Sequence, residues 1–412
     1  MRVAVVGSGI SGLAAARLLS RGHVVTLFEA APRLGGHANT VDVTLDGCTC
    51  PVDTGFLVYN RATYPGLVRL FEELGVPSAP SEMSFSVALE SPAVEWAGTS
   101  LDTVFAQRAN LLRPAFLRML RDVLRFNREA LLAQGAATLG EFLARGRYSS
   151  EFRDWYLLPM AAAIWSCPTR TMLDYPFAAF ARFFLNHGLL QLADRPQWYT
   201  VRGGSRQYVE AIARGLADVR LAMPVRSLRR ERAQAWVNGE RFDAVVLACH
   251  SDQALALLGA DASATERAVL SAIPYQRNRA LLHTDATLLP RNRRVWSAWN
   301  YTAGADTPQG RPVSVHYLIN KLQPLPFAQP VIVSLNPHRE PQAALVLGEF
   351  DYDHPVFSAG AAAAQARLPE IQGARNTWFC GAWTRYGFHE DGFASALEVA
   401  RALEVEPLRQ AA

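Results

Sequence analysis

The chain predicts an α/β fold: a Rossmann-type dinucleotide-binding domain assembled from separate stretches and interrupted by an α+β domain. Three observations carry this expectation. The first thirty residues read as strand, glycine corner, helix and strand. The same alternation returns after Gly203-Gly204 and again from Thr377 to Leu403. Between these stretches lie a helical segment rich in Arg and aromatics, residues 101 to about 195, and a β-rich block, residues 276 to about 365.

In the opening unit, Val3 to Val6 form a strand that breaks on Gly7-Ser8-Gly9-Ile10-Ser11-Gly12, and Leu13 to Arg21 read as a helix that Gly22 stops. Val24 to Phe28 form the next buried strand, with Glu29 at its end. In such a G-x-G-x-x-G corner, Gly7 makes the tight turn, Gly9 lets a pyrophosphate approach the backbone, and Gly12 lets helix and strand pack closely. The helix start at Ile10-Ser11 presents free N–H groups and positive dipole to phosphate. Glu29 can accept both ribose hydroxyls of an adenosine and would repel a 2′-phosphate. Three glycines in the run, with Arg17 and Arg21 in its second half, argue against a signal peptide.

The 412 residues are enough for two domains. Half of them are hydrophobic and 19% charged, an ordinary globular composition. A net charge of +4 is too mild to imply nucleic acid. Lys321 is the only lysine. Cys48, Cys50, Cys167, Cys249 and Cys380 make no paired zinc-ligand spacing, so no metal is expected and the thiols read as unpaired in a reducing cytoplasm. No apolar run reaches the ~18 residues of a membrane span.

Further along, Thr40 to Leu45 and Cys48 to Val52 read as a hairpin around Asp46-Gly47, followed by Asp53-Thr54-Gly55. A helix is expected from Thr63 to Gly75, and paired strands at Phe85 to Leu89 and Val94 to Trp96. Gln107 to Ala133 has an apolar row at helical spacing (Leu111, Leu112, Phe116, Leu117, Leu120, Val123, Leu124, Leu131) and a row of six arginines. It reads as an amphipathic helix of the second domain, with docking on an anionic bilayer as the alternative. Trp155 to Met172, including Ser166-Cys167-Pro168, reads as core or pocket wall. Ser205 is expected to cap a helix running to Leu216. Arg294 to Tyr301 is expected to be a strand with one aromatic face, and Gly392 to open a last helix from Phe393 to Leu403.

Glu29, Arg33 and Gly35-Gly36-His37 form an E-x(3)-R-x-G-G pattern that resembles the flavoprotein amine oxidase superfamily, which also contains phytoene desaturases and fatty-acid double-bond isomerases. The resemblance implies non-covalent FAD. It adds to the cofactor set Ala30, Arg33, Gly35, Gly36 and His37, the corner Asp53-Thr54-Gly55, Val225 at the adenine edge, Gly381 at the diphosphate, and Gly392-Phe393-Ala394 at the flavin. It implies an FAD domain of residues 1–62, 200–275 and 370–412, with a substrate domain of residues 63–199 and 276–369. The phrases Gly36-His-Ala-Asn-Thr, Trp299-Asn-Tyr, Asn320-Lys-Leu-Gln and Gly387-Phe-His-Glu-Asp-Gly392 are similar to a bacterial subfamily of predicted NAD/FAD-binding proteins. Members of that subfamily are encoded beside fatty-acid methyltransferases, and some desaturate methylated acyl chains. That implies a lipid or other hydrophobic substrate, a functional pairing with such a methyltransferase, and a cytoplasmic protein with peripheral contact at the inner membrane.

Flavin oxidation needs placement, a positive complement for the reduced ring and a proton acceptor. His389 and Glu390, just before Gly392, are the candidate bases. Lys321 is the only possible equivalent of the lysine that holds a water in amine oxidases of the superfamily. The expected reaction is desaturation or isomerisation of an acyl chain, with oxidation of a C–N bond in an amine as the alternative.

Overall fold

The computed structural model describes residues 1–132, 137–165, 169–191, 195–231, 234–304 and 314–404. Ala133 and Ser166-Cys167-Pro168 lie outside the described residues.

The β-branched opening run becomes the central strand, Arg2–Val6, of a five-stranded sheet whose neighbours are all parallel. Across the sheet the order is Asp218–Arg220, Val24–Phe28, Arg2–Val6, Ala244–Leu247, Thr377–Phe379. Strands from three distant parts of the chain therefore close one sheet. Parallel strands need cover on both faces. One face is packed by the helix Ile10–Leu19 and by Phe393, Ala396 and Val399 of the last helix; the other is packed by Leu258, Val269, Leu270 and Ile371. The first helix is apolar nearly all round because it is enclosed on every side.

The second sheet has seven strands in the order Val346–Pro355, Tyr275–His283, Ile332–Leu335, Ser314–Leu318, Trp299–Ala303, Phe85–Leu89, Val94–Ala97. Its strands come from both of the stretches expected to interrupt the dinucleotide unit, joined where Trp299–Ala303 runs parallel to Phe85–Leu89. Helices from residues 114–186 cover it and bury Phe116, Phe126, Phe152, Phe180 and Phe184 in one aromatic core.

The hairpin around Asp46-Gly47 forms as expected, with both turn residues at positive φ (50° and 76°). Several boundaries move. The helix Pro65–Leu74 buries Leu67, Leu70 and Phe71 in the dinucleotide unit's core beside Leu13 and Tyr208, so a boundary at 62/63 detaches a helix from its packing partners. The described part of the expected long helix, residues 107–132, holds two elements, a 3₁₀ turn Arg108–Leu112 and a helix Pro114–Glu129, because Pro114 has no N–H to continue the first. The strand expected from Arg294 begins only at Trp299, after a turn at Arg293–Val295. The last helix opens four residues early, spanning His389–Ala402, because the Asp391 carboxylate reaches back to accept the Phe388 N–H at 2.9 Å.

Candidate active site

A cavity of about 1070 Å³ runs from the first glycine corner to the aromatic wall of the seven-stranded sheet. That volume is at the upper end of the range for small-ligand sites. At the corner, Gly7 takes φ +100°, and a Cβ on Gly12 would stand 1.8 Å from the Gly7 carbonyl oxygen, so only glycine permits this crossing of helix and strand. A Cβ on Gly9 would meet nothing within 4 Å, and one on Gly36 would stand 3.1 Å from Gly9 Cα. The two glycine turns thus abut, the Gly35 N–H donating to the Ser8 carbonyl at 3.0 Å, and with the open space beside Gly9 they offer the cavity bare backbone, a cradle that fits the diphosphate of a dinucleotide. Glu29 sits beside it, its carboxylate accepting the N–H groups of Ser8 and Ala31, each at 2.8 Å, and the Ser8 hydroxyl.

Gly7, Gly9, Ile10, Ser11, Glu29, Ala30, Gly35, Gly36, His37, Thr54, Gly55, Val225, Gly381 and His389 all line this one cavity. The other expected site residues sit around it. Arg33 turns back on its own loop, donating to the carbonyls of Leu34 and Gly36, and so braces the glycine pair instead of reaching the cavity. Asp53 is buried against Thr40, Ser205 and Gln323; burial pushes its carboxyl up to about 6 against the pull of those hydrogen bonds. Ser205 accordingly spends its hydroxyl on Asp53, and its helix stops at Ala213. Gly392, with Ser11 Oγ only 2.8 Å from where its Cβ would be, permits close packing of the last helix on the first; Phe393 is core and Ala394 follows in the same helix.

Of the candidate bases, Glu390 points away from the cavity. Its carboxylate accepts the N–H groups of Gly66 (2.8 Å) and Leu67 (2.9 Å), capping a helix whose own N-cap residue, Tyr64, provides no side-chain acceptor. Lys321 Nζ is held by Glu82 at 2.9 and 3.0 Å, and it is Glu82 that reaches the cavity wall. His389 does line the cavity, with its Nε2 3.1 Å from Tyr208 Oη and its ring stacked on Phe56 at 3.7 Å. Burial holds its pKa down at about 3, so the ring is neutral.

The substrate end of the cavity holds groups that no local motif announces. His187 lies among Phe183, Trp198 and Phe388; its Nδ1 is 3.0 Å from the Phe183 carbonyl, which fixes the proton on Nδ1 and leaves Nε2 as an acceptor. Burial lowers its pKa to about 4. Trp299 and Tyr317 meet edge-to-face at 4.9 Å in the sheet wall. Near the glycine pair, His37 stacks on His354 at 5.2 Å and lies 6.4 Å from His250; desolvation first, then repulsion from His354 and His250, holds the His37 pKa well below that of a free imidazole. The histidines come from four separate stretches, so only the tertiary fold brings them together.

The model of the flavin containing amine oxidoreductase family matches residues 10–277. AofH of Mycobacterium tuberculosis, whose name places it among flavin-containing monoamine oxidases, is 29% identical over 322 residues, covering 75% of this chain and 63% of that protein; the chain thus spans less than two thirds of that relative's length. The carotenoid phi-ring synthase of Streptomyces griseus is 34% identical over 176 residues, 39% of this chain and 32% of that protein. The fold is shared with a CLA-producing fatty acid isomerase from P. acnes, at TM-score 0.69 and 16% identity over 97% of this chain and 98% of that one. No helix among the described residues is long and apolar enough to cross a membrane. The cradle fits FAD, and the chain belongs to the flavin-containing amine oxidoreductase family.

Proposed function

We propose that the chain is an FAD-dependent oxidoreductase that desaturates or isomerises a hydrophobic substrate, a fatty-acyl chain. FAD, bound non-covalently, supplies the hydride acceptor. Glu29 would hold the adenosine ribose, the turns at Gly7-Ser8-Gly9 and Gly35-Gly36 the diphosphate, and Val225 the adenine edge. The N-terminus of the last helix, at Phe388-His389, carries the positive dipole that suits a reduced flavin.

The observation that carries the acyl reading is the wall of the substrate end: Met160, Ile164, Phe183, Trp198, Trp299 and Phe357, with Lys321 tied to Glu82. Removing a hydride from one carbon and a proton from its neighbour makes a double bond; in this reading the aromatic wall orients the chain and excludes water, and an imidazole takes the proton. His187, with its Nε2 lone pair open, is the first choice for that acceptor, and His389 the second. Glu390 is assigned to holding the helix at Pro65. The printed names of the isomerase and the carotenoid synthase support an apolar substrate. The second reading, amine oxidation, rests on the longer match to AofH and on the Trp299–Tyr317 pair in the cavity wall, aromatic surface against which an amine could pack.

The test is anaerobic mixing of FAD-loaded protein with monounsaturated or methyl-branched acyl lipids and, separately, with putrescine and aromatic amines. Flavin bleaching, or a double-bond shift in the recovered acyl chain, with lipids alone supports the proposal. Bleaching by amines alone, with acyl chains recovered unchanged, overturns it. Co-expression with a fatty-acid methyltransferase, followed by acyl analysis, tests the expected pairing.

A further inference from the structure

The helix Pro114–Glu129 has two apolar rows, and only one is used in the core. Phe116, Met119, Val123 and Phe126 are buried against the other helices. Leu117 and Leu124, two turns apart on the opposite side, are 44% and 49% exposed, and Leu112, Leu131 and Leu132 extend the same row beyond both helix ends at 89%, 49% and 80%. From Leu117 to Leu131 the ridge is roughly 20 Å long. Arg121 and Arg128 fall between these leucines on the helix, and Arg113 precedes them. Arg113 and Arg128 bond to the backbone carbonyls of Ala93 and Leu124, not to carboxylates. Of the helix's two acids, Asp122 is fully buried, accepting from Ser149 N and, at 3.2 Å, from the guanidinium of Arg121, whose side chain stays exposed; Glu129 is paired with Arg125 and Tyr148. The outward face therefore carries leucines and arginines, Arg113 and Arg128 bonded to backbone carbonyls and Arg121 exposed over the buried Asp122.

We propose that this ridge docks on a bilayer surface containing anionic lipid, the leucines entering the headgroup–acyl boundary and the arginines meeting lipid phosphates. A helix with half-exposed leucines and arginines between them suits that boundary, and the long arginine side chains can keep their charge in the headgroups while their stems lie along apolar surface. A second copy of the chain suits the ridge poorly. Two-fold pairing about Leu124 would set Arg121 beside the other copy's Arg128, like against like. One helical ridge also falls short of the roughly 800 Å² per partner that a stable dimer buries. The inference does not depend on whether the substrate is a lipid or an amine.

The experiment is co-sedimentation of the FAD-loaded full chain with vesicles of phosphatidylcholine alone or mixed with phosphatidylglycerol, at low and high salt. The wild type should bind the mixed vesicles more tightly, and salt should reduce that preference. R121Q/R128Q should lower binding to mixed vesicles roughly 30-fold and leave the weak binding to neutral vesicles unchanged. L117S/L124S/L131S should abolish both while leaving the flavin spectrum intact, because these side chains face solvent and lie outside the cavity. Absence of wild-type binding to either vesicle overturns the proposal, as does wild-type binding by the leucine variant. A concentration-dependent dimer in sedimentation velocity that the leucine variant dissolves also overturns it and makes the ridge a protein interface.

Discussion

Replacing Glu390 separates a structural carboxylate from a catalytic one. The helix at Pro65 begins with a residue lacking an N–H, so its first free donors are Gly66 and Leu67, and Glu390 accepts both. Glu390→Ala removes a charged cap, typically ~1–2 kcal/mol, and leaves two half-buried donors with a shortened partner, so the total cost should be roughly 2–4 kcal/mol. Glu390→Gln keeps one acceptor oxygen and should cost about 1 kcal/mol. Gly66→Ala probes the contact from the other side, since its Cβ would stand 2.6 Å from Phe393 Cδ1 and 2.8 Å from Glu390 Oε1; overpacking of that kind costs about 1–3 kcal/mol. Urea unfolding gives the stabilities, and stopped-flow flavin reduction at a temperature where all variants are folded gives the chemistry. The reasoning requires that Glu390→Ala lose stability while folded Glu390→Gln keeps flavin reduction within a few-fold of wild type. Unchanged stability with reduction slowed a hundredfold would refute the capping assignment and make Glu390 the base.

Glu29→Gln should weaken FAD binding about tenfold or more, read by fluorescence titration of the deflavinated protein, because it halves a carboxylate that holds the Ser8 corner and faces the ribose position. His187→Ala should slow flavin reduction by substrate roughly a hundredfold with FAD still bound, and His389→Ala by much less; the reverse order would return the proton-acceptor role to His389. Asp53 has a folded pKa of about 6, above the ordinary 3.8, through burial. The folded state therefore keeps its proton to higher pH, and this group's stability, full below pH 4, is lost as pH rises to 6, about 3 kcal/mol in all. Asp53→Asn should flatten that part of the stability–pH curve measured by denaturant unfolding, leaving the contribution of Asp391, also raised to about 6 by burial.

The parts of the fold that were legible in the sequence are those in which backbone conformation alone does the work. Gly12 has to be glycine because a carbonyl lies 1.8 Å from its Cβ position, and that requirement follows from strand, turn and helix in immediate succession, so a thirty-residue window contains it. The same holds for Gly7 and for the hairpin at Asp46-Gly47. Side-chain destinations were not legible in this way. Asp53 follows a strand beside a glycine, as a cofactor ligand would, but its partners Ser205 and Gln323 lie more than 150 residues away. Glu390 has the composition of a base and the geometry of a cap because the helix it serves lies 323 residues earlier. Nothing within ten residues of His187 sets it apart from its aromatic neighbours, and only packing against Trp198 and Phe388 gives its free nitrogen a chemical use.

The Pro114–Glu129 helix presents the harder case, because its sequence supports two answers equally well. Phe116, Met119, Val123 and Phe126 recur at helical spacing, and so do Leu117, Leu124 and Leu131. Either row could face the core, and the stripe expected from the sequence joins Phe116 and Val123 to the leucines while leaving out Met119 and Phe126. The aromatic row went inward because the cavity between helices is already walled by rings: Phe126 meets Phe142, Phe152 and Phe180 at 5.7, 5.4 and 6.4 Å, contacts that leucine cannot reproduce in area or edge-to-face geometry. Once those rings are seated, the leucines are forced outward together with the arginines that share their side. Their exposure is therefore a consequence of core packing, and a face so apolar is retained at a cost in solubility, which is why it reads as a surface with a partner.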